Sequence, residues 1–145
     1  MRKFEVVTGF ENVKLPKRAT KGSAGYDFCV LEEAIIPPHQ AHIFSTGVKA
    51  CMNPDEVLML FVRSSLGIKK HLVLANGTGV VDFDYFNNSD NEGHIMIALH
   101  NTSNMPQQVD AGERVAQGIF QKYLITDDDD AEAERDGGIG STGNV

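Results

Sequence analysis

Apolar residues in this chain come in short bursts, rich in β-branched and aromatic side chains and cut off by glycine, proline or asparagine. Segments 43–48, 57–62, 72–75, 80–83 and 95–99 share this habit, and in Ile95-Met96-Ile97-Ala98-Leu99 the larger aliphatics recur at every second residue. A period of two buries one face of a strand, whereas an amphipathic helix needs recurrence at three and four. No helical run of about a dozen residues competes; only Ser65–His71 reads as a short turn or helix. The pattern predicts an all-β domain, with Pro37-Pro38 and Asn53-Pro54-Asp55 as surface turns between strands.

A length of 145 residues supports one domain with a real core, and no internal repeat divides it. The β-rich core is assigned to residues 1–126 and a C-terminal arm to 127–145. That arm opens on Asp127-Asp128-Asp129-Asp130, whose mutual repulsion is expected to hold it extended, and its later glycines add conformational freedom. No stretch reaches the length of a membrane helix. A formal net charge of -7 argues against broad nucleic-acid binding. It leaves room for a phosphorylated small molecule, which needs only local donors and often a divalent cation. Cys29 and Cys51 lack metal or redox spacing, and nothing at the N-terminus reads as a targeting segment, so a reducing cytoplasm is the expected location. Cys29 itself reads as an inert, buried or half-buried thiol.

Chemistry concentrates in residues 76–85, where a glycine-punctuated turn feeds a β-like run ending in two carboxylates and an aromatic. Asp82 is the candidate general base, held by the apolar pair Val80-Val81. It and Asp84 read equally as exposed strand-end acids, on one side if the strand continues. Tyr85 suits packing on a sugar or base, or plain core packing. Asn76 can hold the preceding turn through its amide, while Gly77 and Gly79 permit unusual dihedrals and a base edge read by backbone groups. In Arg63-Ser64-Ser65-Leu66-Gly67, a guanidinium fork with two hydroxyls suits phosphate; a surface ion pair with a helix cap is the other reading. Gln117, in Arg114-Val115-Ala116-Gln117-Gly118, is an anion or water ligand or a strand-edge amide. The terminal Gly137-Gly138-Ile139-Gly140-Ser141-Thr142-Gly143 can bring N–H groups and two hydroxyls against phosphate. The five histidines have no zinc-motif spacing and read as structural.

Taken in order, five blocks resemble the homotrimeric dUTPase family: Ala24–Phe28, Arg63–Gly67, Asn76–Tyr85, Arg114–Gln117 and the terminal glycine-rich motif. The likeness runs from about Gly22 to Gly143. It implies a distorted β-barrel or jelly-roll-like subunit with a flexible C-terminal arm, a homotrimer with shared active sites, and Mg²⁺-dependent hydrolysis of dUTP to dUMP and pyrophosphate. By that likeness Asp82 activates the water, Tyr85 packs beneath the deoxyribose, and Asn76 with Gly79, Val80 and Val81 reads uracil. Arg63, Ser64, Ser65 and Gln117 grip phosphates, and Asp27 reaches the magnesium through water. The arm supplies Arg135, Ile139, Gly140, Ser141 and Thr142. A dCTP deaminase of related fold and a regulatory protein-binding module are the competing implications; the Asp82–Tyr85 spacing and the glycine-rich arm favour phosphate hydrolysis.

Three departures stand out. Ile139 replaces the phenylalanine that relatives commonly carry over the base, and Arg135 lies one residue nearer the glycines than usual. Residues 86–92 lengthen the connection after Tyr85, either as an exposed insertion or as a contact for an auxiliary protein.

Overall fold

The computed structural model describes residues 1–140. Among them, twelve strands form: β1 Lys3–Val6, β2 Lys17–Arg18, β3 Tyr26–Cys29, β4 Ala34–Ile36, β5 Ala41–Ser45, β6 Val48–Cys51, β7 Glu56–Val62, β8 Leu72–Leu74, β9 Gly79–Val81, β10 Met96–Asn101, β11 Gln107–Val109 and β12 Arg114–Lys122. All the pairings are antiparallel, in sheets ordered β1-β6, β5-β10-β8, β11-β4 and β2-β3-β12-β7-β9. The all-β expectation is met. Segment 43–48 divides between β5 and β6, separated by Gly47 at φ 76°.

Alternation decides which faces close on the core. Along β10, Ile97, Leu99 and Asn101 are buried while Met96, Ala98 and His100 are half-buried. Along β7, Leu58 and Leu60 turn inward and meet Phe28, Val30, Val81 and Tyr85 in one hydrophobic cluster. At about 25 cal/mol per Å² of apolar area, each fully buried aliphatic contributes roughly 1.5–3 kcal/mol. Asn101, fully buried, donates to the carbonyls of Ile36 and Met105 at 2.9 and 2.8 Å and accepts from Ser103 N–H at 2.9 Å. Its amide therefore ties β10 to β4 and to the 102–106 turn without an unmet polar group.

β12 breaks its alternation with a bulge between Arg114 and Ala116, so that Val115 and Ala116 are both buried. Beyond the bulge Gln117 falls opposite Asp27 on one side and Phe61 on the other. Residues 65–71 do form a turn: Leu66–Lys70 is a single wide helical turn, ended by His71 in the left-handed region at φ 56°. The aspartate run departs from its expected extension, because Asp129 N–H bonds to Thr126 C=O at 3.1 Å and closes a turn. All four carboxylates are exposed, and water screens their repulsion enough to permit it. No helix among the described residues is long and apolar enough to cross a membrane.

Candidate active site

β8 and β9 belong to different sheets, so residues 75–78 must carry the chain from one to the other. Ala75 N–H bonds to Ala98 C=O, Gly77 N–H to Leu74 C=O and Thr78 N–H to Asn76 C=O, each at 2.9 Å. Gly77 sits at φ 76°, where a side chain is strained. Gly79 differs from the expectation: close approach, not an unusual dihedral, requires glycine there. A Cβ at Gly79 would lie 2.8 Å from Leu60 Cβ, its register partner on β7.

β9 ends at Val81, two residues before the sequence suggests. Asp82 keeps extended backbone, and Phe83–Tyr85 then wind into a 3₁₀ turn closed by Tyr85 N–H to Asp82 C=O at 3.2 Å. The strand therefore does not continue to bring Asp82 and Asp84 to one side; the arm does. Arg135 donates from Nη2 to Asp82 Oδ2 at 2.9 Å and from Nε to Asp84 Oδ1 at 2.7 Å. The two carboxylate side chains stay about half exposed while that of Arg135 is only 7% exposed, with its guanidinium 5.7 Å from the Tyr85 ring centroid.

Tyr85 is buried beneath this pair. Its hydroxyl donates to His94 C=O at 2.7 Å and accepts from Asn91 Nδ2 at 2.8 Å. Burial pushes its pKa above the ordinary tyrosine value, so the ring is a neutral, fixed floor. Above it opens a cleft of ≈ 530 Å³, a size suited to one small ligand. The cleft is lined by Asn76, Gly79, Val80, Val81 and Asp82, by Ile43 of β5 and Met96 and Ala98 of β10, and by Arg135, Gly138, Ile139 and Gly140 from the arm. Ser141 and Thr142 lie outside the described residues.

The connection after Tyr85 is locally bonded throughout. Asn88 Nδ2 donates to Tyr85 C=O and to Asn91 Oδ1, at 2.8 and 2.7 Å, and its Oδ1 accepts from the N–H groups of Asp90 and Asn91. Lys49, itself buried, donates to Asn87 Oδ1 at 2.6 Å and Glu92 Oε2 at 2.8 Å. With Thr8 N–H on the same carboxylate, the Glu92 pKa is lowered to about 2, chiefly by Lys49. His94 Nε2 accepts from Gly47 N–H at 2.8 Å, and burial holds its pKa below the ordinary histidine value. Sequence reading missed Asn91 and Lys49, for which the cluster of asparagines just after Tyr85 was the available signal, while His94, half-buried, is the structural histidine expected.

The remaining candidates gather on the β3-β12-β7 sheet. Asp27 and Gln117 are register partners, and a Cβ at Gly25 would stand 2.6 Å from Gln117 Oε1, so the glycine makes room for the amide. Arg114 Nη1 donates to Asp27 Oδ2 at 3.2 Å. Arg63 N–H is anchored on Val115 C=O at 2.9 Å, and Arg63 C=O accepts from Leu66 N–H at 3.0 Å to start the helical turn. Cys29 corrects the sequence reading: it is exposed, because Phe28 takes the inward direction at the end of β3 and its neighbour must face out. Partial desolvation of the sulfur raises its pKa and keeps it a poor nucleophile. Asp27, Arg63, Ser64, Ser65 and Gln117 do not line the Asp82 cleft. Among the described residues, no three of His, Cys, Asp or Glu converge as metal ligands.

Comparison with known proteins gives one consistent answer. A family model described as dUTPase matches residues 11–143. Deoxyuridine 5'-triphosphate nucleotidohydrolase of Lactococcus lactis subsp. lactis (strain IL1403) is 45% identical, covering 99% of this chain and 98% of the relative. A crystal structure of dUTPase from Streptococcus mutans superposes with a TM-score of 0.78 at 45% identity, over 86% of this chain and 98% of that one. A Staphylococcus bacteriophage 80alpha dUTPase mutant with dUpNHpp shares the fold, with a TM-score of 0.75 at 21% identity over 92% and 89% of the two chains.

Proposed function

Because this chain belongs to the dUTPase family, we propose that it hydrolyses dUTP to dUMP and pyrophosphate, with Asp82 as the general base. The observation that carries the assignment is the placement of the Asp82 carboxylate at the rim of an apolar cleft whose floor is Tyr85. The β9 strand holds that carboxylate from behind, through Val81 packed in the core. A water between Asp82 and the substrate gives its proton to the carboxylate as its oxygen bonds to the α-phosphorus. The bond from that phosphorus to the bridging oxygen breaks, and pyrophosphate leaves with the electron pair.

Specificity follows from the walls. The deoxyribose packs on the Tyr85 ring, which leaves no space for a ribose 2'-hydroxyl. The 76–81 wall reads uracil through Asn76 and the backbone of Gly79, Val80 and Val81, and crowding there rejects a thymine methyl. Ile139, 73% exposed on the arm, covers the base without aromatic stacking. Arg135, Gly140, Ser141 and Thr142 are assigned to the phosphates. A triphosphate outcompetes two half-exposed carboxylates for the Arg135 fork, and transfer of the guanidinium to phosphate oxygens releases Asp82 for its water.

The phosphate grip assigned to Arg63, Ser64, Ser65 and Gln117 lies on a different sheet from the cleft. This separation supports a homotrimer in which one copy's grip serves another copy's Asp82. Exposed Leu124 (96%) and Ile125, just beyond β12, are apolar surface for such an assembly. Residues 127–145 act as the closing arm on the 1–126 core. Mg²⁺ would be held mostly by phosphate oxygens and water, with Asp27, half-buried and oriented by Arg114, receiving one metal-bound water. When bound, it supplies charge neutralisation along the triphosphate.

A nucleotide panel with Mg²⁺ tests the reading: dUTP, dCTP, dTTP and UTP, with products identified. Selective formation of dUMP and pyrophosphate from dUTP is the expected result. Release of ammonia from dCTP would replace it with a deaminase, and indifference to the base or the sugar would overturn the role of the cleft.

A further inference from the structure

The loop inserted after Tyr85 touches both the floor of the cleft and the arm that closes it. Ser89 Oγ donates to Asp136 C=O, so the arm is fastened to the loop just after Arg135. Two residues on, Gly138 is buried against the loop: a Cβ there would stand 2.9 Å from Asn91 Nδ2 and 2.9 Å from Asp90 Oδ2. These two contacts differ in kind. Asp90 is exposed, and its carboxylate can rotate into water. Asn91 has no such freedom: its Oδ1 accepts from Asn88 Nδ2 and Gly93 N–H, at 2.7 and 3.0 Å, while its Nδ2 donates to the Tyr85 hydroxyl at 2.8 Å.

The loop cannot easily shift as a body. Gly93, at φ 87°, lies where a Cβ would meet Tyr85 C=O at 2.8 Å, and Glu92 is clamped by Lys49 and Thr8. The Asn91 amide is therefore a fixed block whose Nδ2 both holds the Tyr85 hydroxyl and lies under the arm glycine.

The geometry points to Asn91 as a positioning residue that couples the tilt of the Tyr85 ring to seating of the arm at Gly138. It rests on the reading of Tyr85 as the sugar floor and of the arm as the lid. Its chemistry is limited to orientation: Asn91 touches neither the reacting phosphorus nor the water, and it acts through Tyr85 and Gly138. An arm that seats only when the ring is in register makes closure sensitive to a correctly placed deoxyribose.

The test uses the full chain as Asn91→Ala, Gly138→Ala and the double variant, with dUTP hydrolysis and Tm measured for each. Asn91→Ala is expected to lower kcat/KM about tenfold by loosening the ring and the seat. Gly138→Ala should cost about as much in the parent, because its methyl meets a fixed amide. In the Asn91→Ala background the same methyl finds room, so Gly138→Ala should then cost less than about twofold. A second readout is trypsin cleavage after Arg135: dUpNHpp should protect the parent and protect Asn91→Ala much less. Parent-like kcat/KM and protection in Asn91→Ala would overturn the coupling. So would a full Gly138→Ala penalty in both backgrounds, or an activity loss that disappears below the Tm of the variant. Failure of the parent to hydrolyse dUTP would instead sink the functional reading beneath it.

Discussion

Gly79→Ala probes the joint between fold and chemistry. The new methyl would lie 2.8 Å from Leu60 Cβ, 3.1 Å from its Cδ1 and 3.2 Å from its Cγ. Rotating the leucine cannot relieve the nearest contact, because Cβ is fixed by the β7 backbone. Reaching ordinary carbon–carbon contact requires β9 to move away from β7 by about 0.6 Å, which strains the pairing of Gly79 with Leu60 and Val81 with Leu58. Overpacking of this kind costs about 1–3 kcal/mol, or roughly 3–10 °C in Tm for a domain of this size. The displacement is passed to Asp82, immediately after β9. A catalytic group displaced by about 1 Å can lose about 100-fold in rate, so a loss of about tenfold or more in kcat is expected here. Gly9→Ala is the control: at φ 92° with open space around it, it adds backbone strain in a turn that does not line the cleft. It should lower Tm while leaving kcat/KM near the parent value. Thermal melts and steady-state dUTP hydrolysis at 20 °C, where all three proteins are folded, make the comparison. A Gly79→Ala enzyme with parent kcat would refute the claim that close β7–β9 packing positions the carboxylate.

Asn101→Ala strands the buried carbonyl of Ile36, while the exposed Met105 C=O keeps the Ser103 hydroxyl at 2.9 Å, and should destabilise the protein by about 2 kcal/mol in urea unfolding, with kcat unaffected below the transition. Ile139→Phe should lower KM for dUTP by adding aromatic cover over the base while leaving the Asp82-dependent step intact, kcat staying within about twofold. Acid stability should fall in two windows of a Tm-against-pH curve. His94 resists protonation when folded, so stability present above its ordinary value of 6.5 declines as pH falls through 6.5 and levels off below the lowered folded pKa. Glu92 contributes stability above its ordinary 4.5 that is lost as pH falls from 4.5 towards about 2. His94→Gln should remove the upper window and keep the lower.

The all-β character was legible because period-two burial leaves a direct trace in the order of apolar residues, as in 95–99. Asp82 and Tyr85 were legible for a different reason, as parts of a motif matched by resemblance; local spacing alone left both with plain structural readings. The bulge at Val115 was hidden, since it depends on pairing with β3 and β7 and shows only as two consecutive buried residues. Cys29 was misplaced because an apolar neighbourhood in sequence does not say which alternate residue faces out. The meeting of Asp82 and Asp84 on Arg135 spans about fifty residues, and no local period encodes it. Residues 86–92 read as an insertion with an external use or none; within the fold their asparagines bond Tyr85 and Lys49 and Ser89 bonds the arm, contacts that no local pattern encodes.

The most direct measurement compares the parent with Asp82→Asn in single-turnover dUTP hydrolysis and in dUpNHpp binding, both with Mg²⁺. The asparagine keeps the size of the side chain, and Arg135 retains Asp84 as a partner at 2.7 Å. The expected result is a rate lowered by about 10²–10⁴-fold with analogue affinity and Tm close to the parent. A folded Asp82→Asn protein that cleaves dUTP within a few-fold of the parent rate would contradict the assignment of the base.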